Sequence, residues 1–589
     1  MYSYQPSICR GFFVLQEVWS PVLSFLTLPL FCYTGKEGGE DMIVEQLYPS
    51  EFIEYQPDFQ RSQLILPFFD SHEQGRREFL QAIKRQEAWW IKTGSHQFFL
   101  QCIVEAETLM LKNLLFFGES VTWKEASNAV EVFAKKRFLQ KIHLPVELDR
   151  AFQQWLQAEG YISNSDGMTK QCRYHTALVL GGGGAHGAYQ IGVWQALEEE
   201  GLTFELITGT SVGALNGGLI LQGDWEAAKN LWLQINTGSV LQFPAAAIEN
   251  QSLSALLSQI RSLTLTALKE NGASTEPLKE LIQQNFSADK CQENPPRLLV
   301  CSTRLTDFKE VVQEIDLQDL STSIDWLIAS ASFYPAMKTK EIAGELYMDG
   351  GYRNNLPIDV AIQEGATECI VVDVQSPGPA KKMEVPENIP IIHLHSKWTL
   401  GSFLVFDAER SQRNYQLGYY ETKKYFAHYQ GGWYTFFKEE TINEDWQAFC
   451  RKIRNEPQLW QIIKGKDFWQ RMRKSYKDKV TYETAGIALM EWAGVTLSLD
   501  PTRVYTKAGF CREIIAAIEH HEPMTGAYSV PEWLKMYRER WFVLSDVNLL
   551  SYCYRLFDTE NAEMPYILFE RSLIPLIAAR FMIYLIKGE

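Results

Sequence analysis

Ser211 lies at the centre of Gly209-Thr210-Ser211-Val212-Gly213, between the apolar run Phe204 to Ile207 and Ala214-Leu215-Asn216. A G-x-S-x-G segment between a strand and a helix suits a nucleophilic serine, because so sharp a reversal requires small residues two before and two after it. The helix that follows turns its N-terminal field toward the serine oxygen. A neutral hydroxyl is a poor nucleophile, so the same chemistry needs a base in hydrogen-bond reach and donors for an oxyanion. Asp349-Gly350-Gly351, after the predicted strand Leu346 to Met348 and before Asn354-Asn355-Leu356-Pro357, supplies a carboxylate; Asp-Gly is equally a hairpin-turn signal. Gly181-Gly182-Gly183-Gly184-Ala185-His186-Gly187, after the strand ending at Leu180, exposes backbone N–H groups to an anion. Gly182, Gly184 and Gly187 also satisfy G-x-G-x-x-G, but a dinucleotide site needs an acidic residue at the end of the next strand, and Glu205 stands at its beginning.

No other constellation competes with these three. His393, His395 and the pair His520-His521 fall in no ligand spacing, and the ten cysteines are scattered without a C-x-x-C pair, so no metal and no cofactor are expected. Reduced cysteines of this kind suit a cytosolic protein. The balance of 56 Lys plus Arg against 72 Asp plus Glu leaves −16, the wrong sign for a nucleic-acid partner.

The elements that must position the three motifs are short apolar runs alternating with helices: Ala177 to Leu180, Phe204 to Ile207, Leu298 to Cys301, Cys369 to Val374 and Ile391 to Leu394. Continuous apolar strands of this type predict a mainly parallel sheet covered on both faces, an α/β core in three layers. With 589 residues, the chain exceeds one hydrophobic core. The spacing predicts a helical N-terminal region over 42–170, the α/β unit over 171–426 and a helical C-terminal domain over 427–589. Lys36-Glu37-Gly38-Gly39-Glu40 requires purine-rich codons just ahead of Met42, as a bacterial ribosome-binding site would. Residues 1–41 are therefore expected to be a non-native or disordered leader in a protein of bacterial origin.

In the order glycine loop, serine elbow and Asp-Gly-Gly, the motifs resemble the patatin-like phospholipases, a family of serine lipid acyl hydrolases. The resemblance covers about Tyr174 to Phe426 and extends to Ala329-Ser330-Ala331-Ser332, Tyr334-Pro335-Ala336 and Arg413-Asn414-Tyr415-Gln416-Leu417-Gly418-Tyr419. It implies a Ser211–Asp349 dyad and an acyl-enzyme. The oxyanion hole would be formed by Gly182, Gly183 and Gly184 with the Val212 N–H, while Gly209, Gly213, Gly350 and Gly351 support the turns. The substrate implied is a lipid ester, with phospholipid or lysophospholipid the leading class. The family usually has Arg or Lys where this chain has His186, so the expected positive charge at the oxyanion loop is weaker at neutral pH. A non-catalytic patatin-like scaffold for a membrane or a protein is the alternative.

Two apolar stretches bear on membrane contact. Leu253, Leu256, Leu257, Ile260, Leu263 and Leu268 fit a buried crossover helix, with a swinging lid as the second account. Ile574 to Ile586 is interrupted by Pro575 and Arg580 and is expected to pack as a helix in the C-terminal domain, with peripheral insertion second. Oligomeric state is left open.

Overall fold

The computed structural model describes residues 42–65, 68–93, 96–118, 121–145, 150–240, 274–334, 336–379, 381, 383–521, 545–558 and 572–588. The leader of 1–41 and the leucines from Leu253 to Leu268 lie outside the described residues.

The strand Thr176–Leu180 is flanked by Leu206–Thr210 on one side and Glu368–Val372 on the other. Arg297–Arg304 and Ile391–Leu394 extend the sheet, and all four pairings among these five strands are parallel. Glu345–Asp349 pairs antiparallel with Arg297–Arg304, then Lys340–Ile342 with Glu345–Asp349, and Lys309–Glu314 forms a hairpin with Arg297–Arg304. Thr176–Leu180 and Glu368–Val372 are buried along their whole length. Helices cover both faces, which is why these strands read as unbroken apolar runs. The α/β core with a mainly parallel sheet therefore stands as expected.

Two helices hold the sheet against its neighbours. Gly187–Glu199, which follows the glycine loop, is buried on almost every side. It crosses Ala408–Tyr425 so closely that a Cβ on Gly192 would sit 1.9 Å from the Tyr415 carbonyl oxygen, and one on Gly418 would sit 2.1 Å from that of Tyr189.

The expected helical N-terminal region is corrected: it is built around an eight-stranded sheet, in the order Ile43–Gln46, Ala88–Thr93, His96–Glu105, Thr108–Phe117, Lys141–Leu144, Gly167–Gln171 and Tyr161–Asn164, with Gln63–Leu64 paired on Thr108–Phe117. Two features disguised it. Helices cover both faces, so Phe98, Leu100 and Cys102 pack in one cluster and Phe99 in another, and the alternation of a half-exposed strand is lost. The hairpin between the two longest strands also turns through Ala106 at φ 50°, with no glycine to mark it. Lys135 of this unit reaches the fully buried Glu368 of the core at 3.2 Å.

The C-terminal unit is mostly helical, with a small sheet of Tyr429–Gln430, Thr435–Phe437 and Val504–Tyr505. Its last helix, Leu573–Lys587, buries Leu576, Ile577 and Phe581 completely, with Phe581 set against Trp446 and Phe449 at 5.4 and 5.3 Å. The apolar C-terminal stretch is core. No helix among the described residues is long and apolar enough to cross a membrane.

The close crossing yields a stability test. Gly192→Ala should destabilise the protein by about 2 kcal/mol, because neither backbone can yield to a methyl. Gly218→Ala, whose new methyl meets nothing nearer than 3.6 Å, should be neutral or stabilising. Urea midpoints of the two variants check the contrast.

Candidate active site

Ser211 has φ 53° and ψ −122°, a backbone conformation disfavoured for any residue with a side chain. The turn is held from several directions. A Cβ on Gly209 would lie 2.6 Å from the Gly213 backbone, and one on Gly213 would lie 2.1 Å from the Leu180 oxygen, so the two flanking glycines are steric necessities. The Ser211 N–H donates to Ser330 Oγ at 3.0 Å, and Ser330 Oγ donates to the Cys301 carbonyl at 2.6 Å. Thr210 Oγ1 donates to the Asn354 carbonyl at 2.8 Å, tying the elbow to the segment after Asp349.

Strand register brings Asp349 to the same place. Thr210 pairs with Cys301, and Ser302, one residue further on, pairs with Asp349. The antiparallel strand thus delivers its last residue to the level of Ser211. Asp349 is 4% exposed, and burial pushes its carboxyl up to about 6, against the opposing pull of the Ser211 hydroxyl and the Gly351 N–H. The Gly351 N–H donates to Oδ1 at 2.7 Å. Gly350 is small because a Cβ there would meet the Cys301 oxygen at 2.2 Å.

The glycine loop departs from expectation at Gly182. The Gly182 N–H donates to the Asn355 carbonyl at 3.0 Å, so it is not turned to the cleft. Gly182 instead provides proximity: a Cβ there would stand 3.2 Å from Ser211 Cβ and 2.4 Å from Asn355 Oδ1. His186 is buried, with Nδ1 3.0 Å from the Val374 carbonyl and 3.1 Å from Ser376 Oγ, and Nε2 3.0 Å from the Gly401 carbonyl. Desolvation lowers its pKa while the carbonyls oppose the shift. It staples three loops together through both ring nitrogens. Glu205 accepts from the Thr176 N–H at 2.7 Å, at the opposite end of the strand from the glycine loop, so the nucleotide alternative has no ribose ligand there.

A buried polar network beneath the loop escaped the motif search. Gln190 donates to the Gly181 carbonyl at 2.7 Å, Asn216 donates to Gln190 at 2.8 Å and to the Gly187 carbonyl at 3.0 Å, and Trp232 donates to Asn216 at 3.0 Å. The available signal was the polarity of Gln190 and Asn216 in otherwise apolar helices.

Ser211, Asp349 and the loop line an apolar cleft, open to solvent, whose walls include Leu215, Leu219, Ile282, Phe286, Met337 and Phe406. Such a site can attack a carbonyl attached to a long apolar chain. Among the described residues no cluster of His, Cys, Asp or Glu is arranged to hold a metal ion.

Comparison with known proteins gives the same segment. A family model described as patatin-like phospholipase matches residues 178–362. Lysophospholipase NTE1 of Saccharomyces cerevisiae is 29% identical over 212 residues, 36% of this chain and 11% of the yeast protein. The human patatin-like phospholipase domain-containing protein 6 is 31% identical over 208 residues, 34% of this chain and 13% of the human one. The match thus spans about an eighth of these relatives' length, and their eukaryotic sources lend no support to the expected bacterial origin. VipD from Legionella pneumophila is 14% identical and covers 73% of this chain and 95% of its own, with a TM-score of 0.28, too low to equate the folds. Because the matched segment contains the elbow, the glycine loop and Asp349 in the expected order, residues 178–362 are a patatin-like phospholipase domain.

Proposed function

We propose that the chain hydrolyses fatty-acyl esters of phospholipids or lysophospholipids through a Ser211–Asp349 dyad. The observation that carries this is a strained serine facing a buried carboxylate of raised pKa in an apolar cleft. The names of the relatives, lysophospholipase and patatin-like phospholipase, support the substrate class.

In this mechanism Asp349 takes the Ser211 proton as Oγ attacks the ester carbonyl. The tetrahedral oxyanion is held by the N–H groups of Gly183, Gly184 and Val212. Collapse expels the alcohol of the lipid, which recovers the proton from Asp349. Water, deprotonated by Asp349, then releases the fatty acid from acyl-Ser211. Water exclusion is central, since an aspartate is a weak base unless desolvated; the burial of Asp349 supplies part of it and an acyl chain bound against the apolar walls the rest.

Ser211→Ala should lower lysophospholipid hydrolysis by more than about 100-fold and abolish labelling by a fluorophosphonate probe. Undiminished labelling of that variant would place the nucleophile elsewhere, and an unlabelled wild-type protein would favour the non-catalytic scaffold. For the wild type, kcat/KM on a soluble ester should fall below about pH 6 as Asp349 gains its proton.

Asp349→Asn separates activity from stability. It should cost about 100-fold or more in rate, since an amide cannot accept the proton. The folded-state pKa of Asp349 lies above its ordinary value of 3.8, at about 6, so its burial opposes folding only when ionised. The disadvantage is absent below pH 3.8, grows as pH rises, and is complete above pH 6. Asp349→Asn should therefore stabilise the protein by up to about 3 kcal/mol at pH 8 and by almost nothing near pH 4. Unfolding midpoints at the two pH values test the sign.

A further inference from the structure

The hairpin joining Arg297–Arg304 to Lys309–Glu314 ends in an exposed apolar tip. Leu305 is 37% exposed and Phe308 39%, and Leu346, also 39% exposed, lies beside Leu305, whose N–H donates to the Leu346 carbonyl at 2.8 Å. Phe308 occupies the left-handed region at φ 55°, where glycine or asparagine would sit with less strain. The turn sets this conformation, as it does at Ala106 and Ala343, but does not call for a bulky ring in it.

The tip is anchored, and most of its charge is balanced. Arg304 pairs with Asp307 at 2.9 Å, Lys309 lies 3.5 Å from the same carboxylate, and Thr306 Oγ1 donates to Glu345 at 2.7 Å. Arg353, exposed, lies 5.9 Å above the Phe308 ring. From Phe308 a file of rings leads inward. Tyr352 is 6.3 Å from Phe308, Phe333 stacks on Tyr352 at 5.7 Å, and Phe403 meets Phe333 edge-on at 5.7 Å. Tyr352, Phe333 and Phe403 line the cleft that holds Ser211.

We propose that this tip docks the domain on a zwitterionic phospholipid surface, with Leu305, Phe308 and Leu346 entering the interface and the ring file guiding an acyl chain into the cleft. The occupant follows from charge and continuity. A chain of net charge −16 is repelled by anionic bilayers, and the tip, where Asp307 and Glu345 offset Arg304 and Lys309 and leave the single charge of Arg353, gains little from them. Apolar side chains continuous with an apolar cleft gain from a neutral one. The inference rests on the proposed lipid hydrolase, but its test does not require turnover.

The test uses the full chain carrying Ser211→Ala, so that vesicles persist, and co-sedimentation with phosphatidylcholine vesicles. Binding should be measurable and insensitive to raising salt from about 0.1 to 0.5 M. Adding Phe308→Gly should weaken it at least tenfold. The same change should keep or raise the Tm, because glycine relieves the left-handed strain. Leu346→Ser, outside the strained position, should weaken binding similarly and serves as the readout if Phe308→Gly lowers the Tm. Absence of vesicle binding by the Ser211→Ala protein, binding that salt abolishes, or folded tip variants that bind as tightly as their parent would each overturn the docking surface. Intact vesicle binding by a wild-type protein that hydrolyses no ester would instead overturn the hydrolase.

Discussion

Burial of one carboxylate next to a strained serine is the constraint on which the site depends. Asp349 is an expensive group to remove from water, and among the described residues the Gly351 N–H and the Ser211 hydroxyl stabilise its charge. That arrangement follows from register. Arg297–Arg304 pairs in parallel with the strand leading to Ser211 and antiparallel with the strand ending at Asp349, so residues 211 and 349 meet at one level of the sheet. A slip of one residue in either pairing would turn the carboxylate to the other face.

Close approach of backbones is the second requirement, and its glycines are explained by what a methyl would strike. Gly213 faces the Leu180 oxygen, Gly350 the Cys301 oxygen, and Gly184 the Phe403 oxygen at 2.2 Å. Backbone this compact leaves carbonyls and N–H groups to be satisfied by side chains, which is the work of Ser330, Gln190 and Asn216, with Trp232 holding the Asn216 amide. Each lies outside the three motifs.

The division between what was legible in the sequence and what was not follows the same physics. Strands covered on both faces, such as Glu368–Val372, declare themselves as apolar runs, and the parallel core was readable from them. Edge strands such as Lys309–Glu314 mix polar and apolar residues on a half-exposed surface and carried no comparable signal. In the N-terminal unit the two-sided cover that should have marked strands instead produced spacings of three and four, and Ala106 replaced the expected turn glycine. Within the site, serine, aspartate and glycine loop were visible as motifs because their chemistry is local. The orientation of the Gly182 N–H was not, since it is set by Asn355 across a tertiary contact. The stapling role of His186 likewise depends on Val374 and Gly401, brought near only by the fold.

The flanking helices complete the frame. Tyr189, in the helix that leaves the glycine loop, donates to Glu421 at 2.8 Å, and Glu421 also accepts from Ser396 at 2.9 Å. One turn further on, Lys424 donates to the carbonyls of Gly432 and Tyr434 at 2.9 and 3.1 Å. The N–H groups of the same two residues donate to the fully buried Glu491 at 2.7 and 2.8 Å. A single helix, Ala408–Tyr425, is thereby packed against the helix that leaves the glycine loop at one face and hydrogen-bonded into the C-terminal unit at its end. Strain at Ser211 and desolvation at Asp349 both favour relaxation of the elbow. Resistance to that relaxation must come from contacts that would be lost with it. The C-terminal unit is tied through Lys424 to the helix that packs against the one leaving the glycine loop.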